Sequence, residues 1–168
     1  MQHLIGHRLP DLDLPSTDGS AFNLSTANGT FVIFCFPYTG RPGYPNPPHW
    51  DSIPGAHGST PQAQAFSMLC GEFKRLGVKL FGLSFQDTEW QSEFVKRTSL
   101  RVALLSDKKK LFSSALGLPV FKAGTQDYLR RLTLISTDGL ITQVRYPIDI
   151  PENDAAETLK LFEDISHP

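Results

Sequence analysis

The sequence predicts one α/β domain over residues 1–168, a three-layer α/β/α sandwich with a mixed central sheet. Its 168 residues and 40% hydrophobic content are typical of a chain that buries a single core. Apolar runs of strand length alternate with helical patterns, and this alternation favours neighbouring parallel strands. A hairpin pattern near the end of the chain adds antiparallel strands, so we expect the sheet to be mixed.

The first predicted elements are a hairpin and a buried strand. Polar and apolar residues alternate over 11–14 and again over 21–24, with a turn cluster over 16–19 between them. The run Phe31-Val-Ile-Phe-Cys-Phe36 is apolar without alternation, which is typical of a strand covered on both faces. We therefore expect residues 31–36 to form the central strand.

A long loop over 38–58 separates this strand from the next helix. The loop holds five prolines and four glycines, which argue against regular structure. A loop of this length inside a compact domain is usually functional. After it, apolar residues recur at three- and four-residue spacings from Phe66 to Leu76, which predicts one helix that ends at Gly77.

The rest of the chain alternates strands and helices and then forms a hairpin. The predicted elements are a strand over 78–84, a helix over 87–98 capped by Asp87 or Thr88, a strand over 102–105, a helix over 107–116, strands over 129–135 and 141–146, and a helix over 151–165. The turn cluster Ser136-Thr-Asp-Gly139 joins the last two strands, and Pro151 is suited to a helix start.

Composition and charge exclude several classes of function. The formal net charge is −1, so there is no basic surface that would predict a nucleic-acid partner. No apolar run approaches the length of a membrane span and the first residues do not form a signal peptide, so we expect a cytoplasmic protein without a membrane partner. No cysteine–histidine spacing predicts a metal site. A small-molecule substrate fits this composition best.

Two motifs precede the predicted helix start at Ser59-Thr60, where free N–H groups and the helix dipole favour an anion. They are Pro37-Tyr-Thr-Gly-Arg-Pro42 and Ile53-Pro-Gly-Ala-His-Gly58, and Ser59-Thr-Pro-Gln62 follows directly. Together they resemble the peroxiredoxins of the bacterioferritin comigratory protein branch. The resemblance extends over about residues 5 to 162 and implies a thioredoxin-like fold. That family has its peroxide-attacking cysteine where this chain has Ser59.

The resemblance also implies roles for other residues of the site. Arg131 matches the arginine of an arginine-x-threonine strand that contacts the reactive cysteine in that family. Pro37 matches the proline that shields the site, and Thr39, or else Thr60, would supply the hydroxyl that orients the peroxide. Three other arginines compete with Arg131, since one sequence cannot show which side of a strand faces the pocket: Arg41, Arg130 and Arg145.

Ser59 departs from the family pattern, because a hydroxyl is far less acidic than a thiol and cannot become a sulfenic acid. Either a laboratory replacement or a natural loss of function explains it, and a serine at a helix start also serves as a cap. Gln64 stands where many relatives have a resolving cysteine. Because Cys35 and Cys70 fall in apolar patterns, they are expected to be buried structural thiols.

Two functional hypotheses follow. The first is a thiol-dependent peroxidase for hydrogen peroxide or organic hydroperoxides, without a metal, flavin or haem cofactor. By resemblance, its reductant is thioredoxin, glutaredoxin or a small thiol, and a homodimer is possible. The alternative is a non-catalytic binding, sensing or accessory protein. A serine hydrolase using Ser59 and His57 has little support, since the Gly-x-Ser-x-Gly pattern is missing.

Overall fold

A computed structural model describes residues 1–166 and contains nine strands and five α-helices over that range. In chain order they are β1 (Leu14–Pro15), β2 (Ala21–Phe22), β3 (Thr30–Cys35), α1 (Ser59–Met68), α2 (Cys70–Arg75), β4 (Val78–Ser84), α3 (Thr88–Thr98), β5 (Ala103–Ser106), α4 (Leu111–Leu116), β6 (Val120–Ala123), β7 (Gln126–Leu129), β8 (Leu132–Thr137), β9 (Leu140–Arg145) and α5 (Asp154–Ser166). The single domain predicted over 1–168 stays a prediction, and its last two residues lie outside the described range.

The central sheet has the strand order β5-β4-β3-β8-β9, so β3 lies in its middle as predicted. Strand β3 pairs in parallel with β4 and antiparallel with β8, and Ile33 lies opposite both Phe81 and Leu134. All but the first residue of β3 are buried, which explains the unbroken apolar run in the sequence. The mixed central sheet is thereby confirmed.

Helices or loops cover both faces of this sheet. On one face, Phe34 of β3 stacks on Phe66 of α1 with ring centroids 4.3 Å apart, and residues of α2, α3 and α5 join the same core. On the other face, Ile33 and Cys35 pack against α4 and the N-terminal segment, which is residues 1–29 before β3. Each fully buried aromatic or aliphatic side chain contributes about 1.5–3 kcal/mol. This three-layer arrangement confirms the predicted sandwich.

The N-terminal segment binds both edge strands of the sheet. The Gly6 N–H donates to the Ile141 carbonyl of β9 at 2.8 Å, and the Thr17 N–H donates to the Leu104 carbonyl of β5 at 3.0 Å. Edge strands with free main-chain groups are the usual place for strands of a second copy to pair. The homodimer expected as a possibility stays a prediction, and pairing at these positions would have to displace the N-terminal segment.

The prediction of one helix that ends at Gly77 is wrong, because α1 and α2 both lie between Ser59 and Gly77. Helix α1 ends at Met68, Leu69 leaves the helical conformation with φ −95° and ψ 4°, and α2 begins at Cys70. Phe66 and Phe73, on either side of the break, stay in one core with ring centroids 6.1 Å apart. Cys70 therefore does not share a helix with Ser59.

The helix predicted over 107–116 begins four residues later, at Leu111. The Asp107 carboxylate accepts the N–H groups of Phe112 and Ser113, both at 3.0 Å, so the side chain caps the helix from a distance. Lys110 has φ +61°, which is incompatible with a continuous helix. The predicted helix start at Asp107 is wrong, because the Asp107 side chain accepts from N–H groups of the helix while its own backbone lies outside the helix.

The strand predicted over 129–135 is in fact the junction of two strands. Leu129 ends β7, and β8 begins at Leu132. Strands β6 and β7 form a hairpin that was not predicted. By contrast, the β8–β9 hairpin is confirmed, and its turn residues Asp138 and Gly139 have φ of +51° and +81°, as a tight two-residue turn requires.

In the described range, no helix is long and apolar enough to cross a bilayer.

Candidate active site

Ser59 is the first residue of α1, and the surrounding backbone fixes its place. Gly58 precedes the helix with φ +115°, a conformation that other residues rarely adopt. A Cβ atom at Gly58 would lie 2.7 Å from Cγ of Pro151, so the turn before α5 packs directly on this glycine. Ser59 is buried, with its hydroxyl at the end of the helix where N–H groups lack helical partners.

Arg131, just before β8, makes five hydrogen bonds at the start of α1. Its Nη1 donates to Ser59 Oγ at 2.9 Å and to Gln62 Oε1 at 3.1 Å. Its Nη2 donates to three successive carbonyls over 55–57 at 3.1, 3.0 and 2.7 Å. The guanidinium therefore binds the end of the long loop, the helix start and the Ser59 hydroxyl together.

Burial of Arg131 affects its charge but does not remove it. Burial lowers the pKa of Arg131 to about 10, and the negative charge of Asp154 opposes that shift. A pKa of about 10 leaves the guanidinium protonated at neutral pH. The Ser59 oxygen thus lies beside a cation that has lost most of its water, where electrostatic interactions are stronger than at the surface.

The three competing arginines bind other partners. Arg41 donates to a carboxylate of α3 at 3.1 Å. Arg145 donates to Asp154 at 3.1 Å, and Arg130 lies over an aromatic ring of the β6–β7 hairpin at 5.4 Å. Of the four candidates, Arg131 is the one whose side chain hydrogen-bonds Ser59.

A small pocket of about 200 Å³ opens beside the helix start. Its lining comes from the long loop and the first turn of α1: Tyr38, Gly40, Asn46, Trp50, Ala56, His57, Gly58, Ser59, Thr60 and Pro61. His57 pairs with Asp51 at 2.6 Å, and both side chains are largely exposed. The volume suits a small molecule, with Thr60 on the wall of the pocket.

Pro37 and Thr39 are not among the residues that line this pocket. Pro37 is buried two residues after β3. The Thr39 N–H and hydroxyl both donate to Gln86 Oε1, at 3.0 and 3.2 Å. Ser59 and Thr60 therefore line the pocket, and Arg131 hydrogen-bonds Ser59 without lining it, whereas the Thr39 hydroxyl already has a partner. The catalytic roles of Pro37, Thr39 and Thr60 stay predictions.

Aromatic residues hold the long loop against the β6–β7 hairpin, a contact that was not predicted from the sequence. The Trp50 ring lies 5.4 Å from Tyr38, 5.2 Å from Tyr128 and 5.7 Å from Phe121, measured between centroids. Alternating residues on both sides of Gly124 were the available signal for the hairpin. This cluster supports the wall of the pocket.

Gln62 and Asp154, which were not predicted as site residues, connect to Arg131 by hydrogen bonds. Gln62 accepts from Arg131 with Oε1 and donates to Asp154 Oδ2 with Nε2, at 3.1 Å in both cases. Asp154, the first residue of α5, is completely buried. An acidic residue close after Pro151 was a signal for a helix start, but nothing in the sequence connected it to Ser59.

The two cysteines differ in exposure, and both are free thiols. Cys35 is buried in β3, where burial and the nearby charges of Asp107 and Asp154 raise the pKa of its thiol. Cys70 is only half-buried, which corrects the expectation of a buried thiol.

Within residues 1–166, no group of three metal-binding side chains could hold a metal ion.

The sequence of the chain matches the family model for Redoxin over residues 4–159. The chain belongs to the Redoxin family. Among its relatives is the chloroplastic peroxiredoxin Q of Oryza sativa subsp. japonica, which is 29% identical over 160 residues, or 95% of this chain and 67% of the relative. The resemblance to peroxiredoxins of the bacterioferritin comigratory protein branch is confirmed.

Solved structures of redoxins share the fold. Peroxidoxin BcpB of Mycobacterium tuberculosis has a TM-score of 0.77 at 22% identity, covering 98% of each chain. The bacterioferritin comigratory protein of Xanthomonas campestris has a TM-score of 0.74 at 20% identity, covering 94% of this chain and 96% of the other. The thioredoxin-like peroxiredoxin fold is therefore confirmed.

Proposed function

We propose that this redoxin carries a thiol peroxidase site at position 59, where Ser59 stands in place of the peroxidatic cysteine. The observation that carries the proposal is the 2.9 Å hydrogen bond from the buried Arg131 guanidinium to Ser59 Oγ at the start of α1. A cation and a helix N-terminus at one atom are the two features that lower the pKa of a thiol. Position 59 combines both features.

With a cysteine there, the chemistry is that of a thiolate. The sulfur attacks one peroxide oxygen, the O–O bond breaks, and the leaving oxygen takes a proton to become water or an alcohol. The sulfur is oxidised to sulfenic acid. One external thiol then condenses with it, releasing water, and a second thiol reduces the mixed disulfide. Arg131 stabilises the thiolate and the charge that develops on the leaving oxygen.

The substrate class is hydrogen peroxide or an organic hydroperoxide. The bacterioferritin comigratory protein of Xanthomonas campestris has alkyl peroxide reduction activity, which supports the second possibility here. A thioredoxin, a glutaredoxin or a small thiol would supply the electrons, because no second cysteine lies five residues along α1. The cytoplasmic location expected from the sequence stays a prediction.

With serine at position 59, the chain is proposed to be inactive at this position. A hydroxyl stays protonated at neutral pH and does not form the sulfenic acid intermediate. Whether Ser59 is a replacement made in the laboratory or a natural change is decided by the codon in the natural gene. A cysteine codon supports the peroxidase, and a serine codon supports a natural loss of turnover.

The test is peroxide consumption, with dithiothreitol as reductant, by the parent chain and by Ser59→Cys. We expect fast turnover by Ser59→Cys alone. The matched control is Ser114→Cys, which adds a thiol at an exposed position of α4 that does not line the pocket beside Ser59. If Ser59→Cys is folded and no faster than Ser114→Cys, the peroxidase proposal is wrong.

A second candidate function is a non-catalytic binding protein, and the observation that favours it is Ser59 itself. Its hydroxyl, the free N–H groups of the helix start and the Arg131 cation form a site with affinity for a small anion. In that case, sulfate should raise the melting temperature of the parent chain, and the increase should be smaller after Arg131→Lys. An unchanged melting temperature with sulfate would contradict this second function.

A further inference from the structure

Asp154 lies three hydrogen bonds away from Ser59, through Gln62 and Arg131, and is the most deeply buried carboxylate near the site. Its side chain is completely buried and contacts four donors. Oδ2 accepts from Thr133 at 2.6 Å and from Gln62 at 3.1 Å, and Oδ1 accepts from Arg145 at 3.1 Å and from Thr158 at 3.2 Å. A buried charge that binds four partners is costly to replace.

This carboxylate determines which way the Gln62 amide points. A glutamine side chain has a donor end and an acceptor end. Because Asp154 acts only as an acceptor towards Gln62, it requires the NH₂ end of the amide. The carbonyl end must then point in the other direction, where Arg131 Nη1 donates to it at 3.1 Å. Reversing the amide would place donor against donor at Arg131.

We infer that Asp154 is a positioning residue for the site, and that it holds the Arg131 guanidinium on the atom at position 59 by fixing the orientation of Gln62. This inference rests on the proposed peroxidase function only for its catalytic consequence. Asp154 contacts neither Ser59 nor the pocket. It acts on Arg131 through the hydrogen bonds of Gln62 and through its own negative charge, and this separates it from the residues that would touch a peroxide.

The neighbours of Asp154 keep the carboxylate in one place. Arg145 of β9 donates to it and also to Glu157 one turn along α5, at 2.6 Å. Thr133 of β8 lies two residues after Arg131, so the same strand that brings the guanidinium to the site also holds the carboxylate. The start of α5 is therefore joined to β8, β9 and α1 by side-chain hydrogen bonds.

The inference can be tested by exchanging the acid and the amide between positions 154 and 62. In the Ser59→Cys background, Asp154→Asn can place a donor against the NH₂ end of Gln62, and Gln62→Glu places two carboxylates against each other. Each single change should slow the reaction of the introduced thiol by about tenfold or more, since small displacements at a reacting centre have effects of this size. Combining Asp154→Asn with Gln62→Glu places a donor at position 154 against an acceptor at position 62. The side chain at position 62 can then still accept from Arg131.

Two readouts are needed, alkylation of the introduced thiol by iodoacetamide at pH 7 and peroxide turnover. We expect the double variant to recover to within about threefold of the Ser59→Cys rate in both assays. If Ser59→Cys does not reduce peroxide, the proposed function fails, while the alkylation rates still decide the present inference. A double variant that is folded and no faster than the slower single variant would overturn the inference.

Two controls separate positioning from general destabilisation. Asp107→Asn removes another buried helix-capping carboxylate, one that contacts neither Gln62 nor Arg131, and it should lower the melting temperature without slowing alkylation at position 59. Gln62→Met removes the connection while keeping Asp154. It should slow alkylation as much as Asp154→Asn does, and an unchanged rate after Gln62→Met would overturn the inference even if the Asp154 variants do not fold.

Discussion

Cys35 and Ser59 stand in opposite surroundings at the two ends of the segment that leads from β3 to α1. Cys35 has a sulfur atom, but it is buried at the centre of the sheet, and the pKa of its thiol is raised by burial and by the charges of Asp107 and Asp154. Ser59 has no sulfur, but its oxygen accepts from a buried guanidinium at the start of a helix. One position has the reactive atom and the other has the reactive environment.

The difference teaches that surroundings decide what a thiol can do. In an apolar core, the charged form of a thiol loses its hydration and gains nothing in return, so the pKa rises. At a helix start beside a cation, the same form is stabilised twice. We therefore expect a thiol at position 59 to react far faster than either native cysteine, and four predictions test or refine this comparison.

The largest effect is expected when the cation is removed. In the Ser59→Cys background, Arg131→Met should lower kcat/KM for peroxide by about 100-fold to 1000-fold, the usual effect of losing one donor to a developing negative charge. Arg130→Met is the matched control, because its guanidinium lies over Phe121 and makes no contact with Ser59. Equal losses for the two variants would contradict the role assigned to Arg131.

The two native thiols of the parent chain should also differ strongly. Cys35 should react with iodoacetamide more than about 100-fold slower than the half-buried Cys70, since burial limits access and the raised pKa leaves little thiolate. Mass spectrometry of the labelled peptides measures both rates in one sample. In denaturant the rates should become equal, and a native Cys35 that reacts as fast as Cys70 would contradict the comparison.

The backbone that places position 59 can be tested at Gly58. Gly58→Ala combines a positive φ with a Cβ atom 2.7 Å from Pro151, so it should lower the free energy of unfolding by about 2–3 kcal/mol. Gly55→Ala is the control, because its φ is also positive but nothing lies within 4 Å of the added atom. Urea denaturation measures both. Equal losses would show that contact with Pro151 is unimportant.

The smallest effect distinguishes the two threonines. In the Ser59→Cys background, Thr60→Val should lower kcat/KM by about tenfold, because its side chain lines the pocket and a positioned donor contributes to orientation. Thr39→Val should change it by less than about threefold, since that hydroxyl donates to Gln86. The reverse order of effects would return the orienting role to Thr39.

The sequence predicted the parts of the fold that depend on local patterns. The apolar run at β3, the glycine before α1 and the turn at residues 138–139 each leave a local signal. Arg131 was named by resemblance among four arginines, and its contact with Ser59 spans 72 positions of the chain. No property of residues 129–133 alone shows that this guanidinium reaches α1.

Contacts between distant segments account for what the sequence did not predict. Trp50 packs on a hairpin about 70 residues later, and Asp154 binds Gln62 across 92 positions. The capping of α4 by Asp107 moved a helix start, because a side chain several residues away can satisfy the first N–H groups. Such pairings depend on the closed fold, so periodicity and spacing do not reveal them.

The central claim is that the surroundings of position 59 stabilise a thiolate, and the most direct test is the pKa of the thiol in Ser59→Cys. Thiolate absorbance at 240 nm is titrated for this variant and for the parent chain, and the difference isolates the introduced thiol from Cys35 and Cys70. The account predicts a pKa below about 7, compared with about 8.5 for a free cysteine. A pKa at or above about 8.5 would contradict it.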